Sequence, residues 1–317
     1  MKNAGPRRGY LLKGIFIIPR FFRYVPMILM LGRYCLKHKV RPAILLKANT
    51  SFTFGGIICP KSEIFAKFKQ NNHEAILPTF EIRIKDRGEV RIEKVKSLIR
   101  KNNLKYPLII KPDEGLAGIG LKFIKDEKEL RRAVGMIKED YVLQQYIDWP
   151  HQMAVFYIKD PAEEKGKIWS LTKMIVTNNS RKNPALIVPG NHVVYKDESY
   201  LITPALEKTF NKISEVDGFF FGRFDILAKN AESFVKEGRD FKILEVNVGP
   251  YAIALQALDR RYNFFKRYAI LNEQLKYAFA IAEKNASHFS KAEIKEEAKA
   301  FFRKYRNFLR NNFWKIK

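Results

Sequence analysis

Cysteine is nearly absent: the 317 residues contain two, Cys35 and Cys59. That excludes a disulfide-stapled scaffold and a cysteine-based zinc site. The five histidines are scattered, with no HExxH and no pair at ligand spacing, so a histidine metal centre is excluded too. No uncharged apolar run reaches the roughly 18 residues of a spanning helix. No small-residue cleavage site follows the apolar N-terminal stretch, so a secretory leader is not expected. Internal repeats, low-complexity linkers, zinc fingers, helix-turn-helix signatures and RNP-type motifs are missing. Acid is scarce as well: 33 Asp+Glu stand against 59 Lys+Arg, a formal charge of +26. That imbalance calls for an anionic partner. What remains, 46% hydrophobic and 29% charged residues, is a globular chain long enough for one large or two ordinary domains.

The basicity sits at the ends. Residues 1–41 hold 10 Lys/Arg and no acid, and residues 299–317 hold 7 and no acid. The middle is charged like an ordinary enzyme domain, so the chemistry need not explain the excess. Tyr10–Leu31 is apolar and aromatic, broken by Lys13, Arg20, Arg23, Pro19 and Pro26. Two readings stand: a basic amphipathic segment docked on the body, or a membrane-surface element facing lipid phosphates. Lys291–Lys317 reads as a helix, with Phe301, Phe302, Tyr305, Phe308, Leu309 and Phe313 at helical spacing, basic residues between them, and Trp314 ending the run. The same two readings apply. An anionic membrane surface is the macromolecular partner these ends suggest, and nucleic acid is not expected. The chain is expected in the cytoplasm, with peripheral contact on the inner membrane face.

Residues 42–60 read as a strand and a glycine turn. Ser62–Gln70 reads as a helix with Ser62 as N-cap, and 90–104 as another. From Tyr106 the order is strand (YPLIIKP), glycine loop (EGLAGIG), strand (LKFIKD), a helix capped by Asp126, and strand (YVLQQYI). Residues 153–159 and 166–177 follow as strands. FFFGRFDILAK and DFKILEVNV are two strong strands joined by a polar connection, NAESFVKEGR. This alternation argues an α/β or α+β fold.

Gly115, Gly118 and Gly120 lie within six residues between two strands. The GxxGxG spacing followed by a strand is not a dinucleotide fingerprint, and Leu121 stands where a P-loop needs lysine. Such a loop is either a plain turn or a flap whose backbone N–H groups cover phosphates. Lys111, four residues ahead of Gly115, is either a solvated strand end or a fixed ammonium beside that flap. Further on, Arg223 and Asp225 share one strand face, as do Glu245 and Asn247. Phe224, Leu244 and Val246 are expected to point into the core. Pairing the two strands gathers two carboxylates and an amide oxygen beside an arginine, a hard-oxygen set suited to Mg2+ or Mn2+.

Together these segments resemble the ATP-grasp superfamily, and more closely the bacterial carboxylate–amine ligase-like proteins related to alpha-L-glutamate ligases. The matching pieces are Ala48–Asn49, Gly55–Gly56, PKSEI at 60–64, PLIIKPDEGLAGIG at 107–120, PGNH at 189–192 and DGFFFGRFDI at 217–226. The resemblance implies an ATP-grasp fold: two α+β subdomains clamping a nucleotide, after a smaller N-terminal α/β subdomain. The implied boundaries are 1–41 for the N-terminal segment, 42–104, 105–150 and 151–285 for the subdomains, and 286–317 for the C-terminal helix. It implies ATP as cofactor, with Lys61 at the α-phosphate, Lys111 at the α/β-phosphates, and the loop of Glu114, Gly115, Leu116, Ala117, Gly118 and Gly120 over the β/γ-phosphates. Gln144, Gln145, Tyr146 and Ile147 would form the adenine linker. Gln144, Gln145 and Gln152 stand where many relatives use an acid toward the ribose. Lys173 and Arg223 would face the transferring phosphoryl group, Asp225, Glu245 and Asn247 would hold Mg2+ or Mn2+, and His192 would lie at the acceptor site. The implied activity is an ADP-forming ligase joining small-molecule carboxylate and amine substrates through an acyl-phosphate. A small-molecule kinase, or a degenerate nucleotide-binding module at the membrane surface, are the alternatives.

Overall fold

The computed structural model describes residues 25–71, 73–86, 88–115, 118, 120–176, 193–250 and 252–312. The chain enters through α1 (Val25–His38), two short 3-10 turns at Pro42–Lys47 and Thr53–Gly56, and α2 (Lys61–Lys69). The strand expected at 42–60 is therefore not there. Pro42 starts a turn rather than a ladder, and the apolar run Leu45–Leu46 is buried all round, so it needs no two-faced pleat. Asn49, fully buried, explains the Ala-Asn pair. Its amide donates to the carbonyls of Phe221 and Val248 and accepts from the N–H groups of Phe220 and Phe221. Gly56 explains the Gly-Gly pair. Its φ is +91°, and a Cβ there would stand 1.9 Å from the Val248 carbonyl oxygen. Both motifs stitch the N-terminal segment to the large sheet.

A four-stranded antiparallel sheet follows, built from β1 (Thr79–Ile82), β2 (Leu108–Pro112), β3 (Lys122–Ile124) and β4 (Tyr141–Gln145) in the order β1-β4-β2-β3. Helices α3 (Gly88–Lys101) and α4 (Glu127–Gly135) cover one face. Ile92, Val95 and Ile99 of α3, at i, i+3 and i+7, pack with Leu108, Ile110, Leu130 and Leu143. Asp126 caps α4 as expected, accepting from the Glu129 N–H at 2.8 Å.

The second sheet has five antiparallel strands: β5 (His151–Ile158), β6 (Lys167–Val176), β7 (Val193–Asp197), β8 (Phe221–Ala228) and β9 (Phe241–Asn247), in the order β7-β6-β5-β8-β9. Among the described residues four further α-helices follow: α5 (Pro204–Ile213), α6 (Ala231–Glu237), α7 (Phe264–Ala286) and α8 (Lys291–Asn312). The polar connection between the last two strands is thus a helix, capped by Asn230 and ended by Gly238 at φ +64°. Residues 42–104 build no sheet of their own. Phe52, Ile64, Phe65 and Phe68 pack into the core of the large sheet, while β1 and α3 belong to the small one. The expected N-terminal subdomain is shared between the two layers. Ser62 is no cap either: α2 starts at Lys61 after Pro60, and the Ser62 N–H and hydroxyl both go to the Asp113 carboxylate, at 2.8 and 2.6 Å.

The two faces of the large sheet differ. Met153, Val155, Leu171, Phe224, Ile226, Ile243 and Val246 point into an aromatic core with Phe68, Phe210, Phe219, Phe234 and Phe241. The opposite face packs Phe156, Ile158 and Phe221 on α7 and, beside them, carries Arg223, Asp225, Glu245 and Asn247. Between Asp225 and Ile226 the β8–β9 register slips, so Glu245 faces Asp225 while Ile243 faces Ile226. Leu244 is the extra residue of this bulge and is not in the core as expected. The bulge turns its carbonyl outward.

Candidate nucleotide and metal site

In an antiparallel pair, directly opposite residues share a face. Arg223 faces Asn247 and Asp225 faces Glu245 across β8 and β9, so the register gathers these four as the strand pattern predicted. The Arg223 guanidinium grips Asp225 through two parallel bonds, Nε to Oδ1 at 2.7 Å and Nη2 to Oδ2 at 2.9 Å. Its third arm donates to the Ile253 carbonyl at 2.8 Å, fixing the loop that follows β9. The Asn247 amide donates to Asp225 Oδ2 at 3.0 Å. Burial opposes the charge on Arg223, but Asp225 and then Glu245 outweigh it and raise its pKa.

The small sheet and α2 supply the cations opposite. The Lys111 ammonium donates to the Leu244 carbonyl at 2.9 Å, so the bulge gives this lysine its acceptor. Burial pulls Lys111 down from 10.5 to about 8, against the opposing pull of Glu245. Lys61, on the first turn of α2, lies 3.6 Å from Glu245 Oε1 and donates to the carbonyls of Gly115 at 3.2 Å and Asp113 at 3.5 Å. Burial would raise the Glu245 pKa, but Lys61, Lys111 and Arg223 together hold it below the usual range. Three cations thus surround two carboxylates, and the surplus charge is positive.

The glycine loop begins here. Gly118 and Gly120 have φ of +70° and +82°, and a Cβ on Gly120 would come 2.7 Å from the Pro112 ring. Glu114 is paired with Lys304 of α8 at 2.6 Å, a contact absent from the sequence reading. Leu116 and Ala117 lie outside the described residues, as does His192.

The glutamines separate. Gln144 faces Ile109, two residues from Lys111, and is buried on the small sheet's face away from α3 and α4, with its amide on Thr79 Oγ1 at 2.7 Å. Gln145 points to the other face. Its side chain accepts from the Lys105 N–H and donates to the Lys105 and Pro107 carbonyls, so it braces the turn before β2 and is not available to a ribose. Tyr146 packs edge-on against Phe123 and its hydroxyl donates to Asp148, with burial first among the causes that raise its pKa to about 12. Ile147 is half-buried beside it. Gln152 faces Leu227 on one side and Met174 on the other, and its Oε1 is buried without a partner. Thr172, beside Ala154 in the same face, has a buried hydroxyl in the same condition.

Lys173 is a correction. It faces Met153, and Met153 faces Ile226, both in the aromatic core. Lys173 therefore lies on the sheet face opposite Arg223 and Asp225, and Met174 takes the place expected of it.

Among the described residues no group of three or more His, Cys, Asp or Glu can hold a metal ion. Asp225, Glu245 and the Asn247 amide are an all-oxygen set of two carboxylates. That is too few for a protein cage and suits Mg2+, which keeps waters and phosphate oxygens. The set fits the ion, provided Arg223 releases one Asp225 oxygen. The ordering signals were Lys111, the glycines and the two strand motifs. Sequence reading missed Asp113, the Leu244 carbonyl, Leu227 and Thr172, of which only Asp113 had a signal, its place after Lys111-Pro112.

Residues 74–160 match the RimK-like ATP-grasp domain. No curated protein matches the chain in sequence. Solved structures similar to it include the VanG D-Ala:D-Ser ligase of Enterococcus faecalis, at 12% identity over 70% of this chain and 61% of that one, with a TM-score of 0.45. The biotin carboxylase domain of the Hydrogenobacter thermophilus 2-oxoglutarate carboxylase is 18% identical over 69% of this chain and 45% of that one, TM-score 0.46. D-alanine–D-alanine ligase of Bacillus anthracis is 14% identical over 75% and 71%, TM-score 0.48. The chain thus spans under two thirds of the first two. Over residues 74–160, about a quarter of the chain, the sequence is thus similar to a RimK-like ATP-grasp domain, and the described residues form a mixed α/β fold with two antiparallel sheets.

Proposed function

We propose that the chain is an ADP-forming ligase that uses ATP and Mg2+ to join a carboxylate to an amine. One observation carries the reading: Lys61, Lys111 and Arg223 surround Asp225 and Glu245 between the two sheets with cations in excess. A buried surplus of positive charge asks for an anion, and two carboxylates beside it ask for that anion to bring a divalent ion.

In this reading Lys61 and Lys111 bind the polyphosphate, and the backbone N–H groups of the glycine loop cover it. Lys111 leaves the Leu244 carbonyl for the phosphate. Mg2+, when bound by Asp225, Glu245 and Asn247, neutralises charge on the phosphates. Arg223 turns part of its fork from Asp225 to the transferring group, whose charge it stabilises. The substrate carboxylate oxygen forms a bond to the γ-phosphorus as the bond to the β,γ-bridging oxygen breaks and ADP leaves. The amine then attacks the acyl carbon, phosphate departs with the electron pair, and an amide remains. The chain's work is positioning and charge balance. Tests start with thermal unfolding. ATP at about 100 times its Kd adds about 2.7 kcal/mol, a rise of several degrees in Tm. The rise should need Mg2+ and vanish in Glu245→Gln. ADP release on adding mixed carboxylates and amines then reads the ligase. No shift with any nucleotide would sink the proposal, and a stable phosphorylated product without amide would replace the ligase with a kinase.

A further inference from the structure

Helix α1 has two apolar faces, and among the described residues only one of them is covered. Leu31, Tyr34 and Cys35 pack against α7 and its neighbours, with Tyr34 stacked on Phe279 at 5.3 Å, and His38 lies 3.1 Å from Glu283. These positions are three and four apart, the inner stripe of an amphipathic helix. Ile28, Leu29, Gly32 and Leu36 form a second stripe on the outside. There Ile28 is 56%, Leu29 67% and Leu36 82% exposed. Arg33 and Lys37, both exposed, flank this stripe, and Lys39 and Arg41 follow it. No acid occurs anywhere in residues 1–41.

We propose that this outer face seats the protein on an anionic lipid bilayer, with the aliphatic stripe among the acyl chains and Arg33 and Lys37 on the headgroup phosphates. The charge pattern chooses this occupant. A second copy paired through the same face would set the basic flank against itself, with no acid in the segment to relieve it. A lipid surface supplies apolar depth and phosphate at one boundary. No helix among the described residues is long and apolar enough to cross a membrane, so the contact is interfacial.

The test is flotation of the full chain with vesicles of phosphatidylcholine, and of phosphatidylcholine mixed with phosphatidylglycerol. Binding is expected on the anionic vesicles only, weakening with salt. Arg33→Glu/Lys37→Glu should lower partition by more than about tenfold, since each cation near such a surface is worth roughly fivefold. Leu29→Glu/Leu36→Glu should abolish it, with the unfolding midpoint unchanged because both side chains are exposed. Four results would overturn the proposal. One is equal binding to both vesicles. Another is retained binding in both α1 variants with loss in Arg303→Glu/Arg306→Glu, which would move the contact to α8. A third is flotation that appears only after residues 1–24 are removed, which would make the face a seat for the chain's own segment. The last is concentration-dependent self-association that both α1 variants abolish, without lipid binding.

Discussion

The two faces of the five-stranded sheet are made from the same strands, but only one of them carries a charged cluster within its apolar packing. One buries Phe224, Ile226, Ile243 and Val246 among the rings of Phe68, Phe210, Phe219 and Phe241. The other carries Arg223, Asp225, Glu245 and Asn247 at one end, beside Phe156 and Ala154 across from them, with Phe156, Ile158 and Phe221 packed on α7. The dry face stabilises: a fully buried Phe contributes roughly 1.5–3 kcal/mol. The charged face costs stability, because each buried ion is stripped of water and only partly repaid by its partners. The sheet therefore spends what one face gains on a site at the other. A site of that kind should respond steeply to single changes, and the dry face beneath it should not respond catalytically at all.

The steepest break is Glu245→Gln. It keeps the shape and removes the charge that faces Lys61 and Lys111. Ligase turnover should fall about 10³-fold, in the range for a group that acts on developing charge, while Tm without nucleotide moves by a few degrees at most. Comparable turnover in this variant, read as ADP release, would remove the charged face from the chemistry. Next is Arg223→Lys. The charge survives, but one ammonium cannot hold both Asp225 oxygens and the Ile253 carbonyl. A fall of about 10²-fold in kcat, with a smaller change in KM for ATP, is expected.

Lys111 sharpens the comparison through pH. Its folded pKa is depressed from 10.5 to about 8 by burial. Between those values the unfolded chain binds the extra proton, so stability without ligand rises with pH across that window. Nucleotide behaves oppositely. Phosphate favours the ammonium, so binding takes up a proton above about pH 8 and weakens as pH climbs. Calorimetric titration in two buffers of different ionisation heat should show that uptake. Lys111→Met should lose it together with roughly 30-fold in affinity, the worth of a charged hydrogen bond. An uptake that persists in the variant assigns the proton elsewhere.

Much of this was legible in sequence, and the reasons are local. The strands bearing Arg223, Asp225, Glu245 and Asn247 alternate with Phe224 and Val246, so period two named the face. Lys111 and the three glycines were readable because strand, loop and strand follow without interruption. The bulge was not. One added residue at Leu244 breaks the period that the reading relied on, and it is this residue's carbonyl that holds Lys111. Gln144 and Gln145 could have been separated in advance, since adjacent strand residues cannot share a face. The sharing of residues 42–104 between two cores was beyond reach. It depends on Asn49 and Gly56 meeting Phe221 and Val248 from far along the chain.

Lys173 is the finest test of the comparison. Strand β6 reads Ser170-Leu171-Thr172-Lys173-Met174, and all but Lys173 are buried. When both faces are covered, polarity no longer reports direction, and the family resemblance alone set Lys173 at the phosphate. The register decides otherwise. Thr172 and Met174 face the site with Ala154 and Gln152, while Lys173 shares its face with Met153. Lys173→Ala should therefore leave turnover and KM for ATP within about twofold of the parent, the usual reach of a change distant from the reacting groups. Thr172→Val makes the complementary change on the other face, removing a buried hydroxyl that has no hydrogen-bond partner in the structure. If the two faces are as separate as the ladder makes them, the threonine variant shifts KM and the lysine variant does not. A fall of a hundredfold in Lys173→Ala would mean that β6 can slip by one residue, which exchanges its two faces.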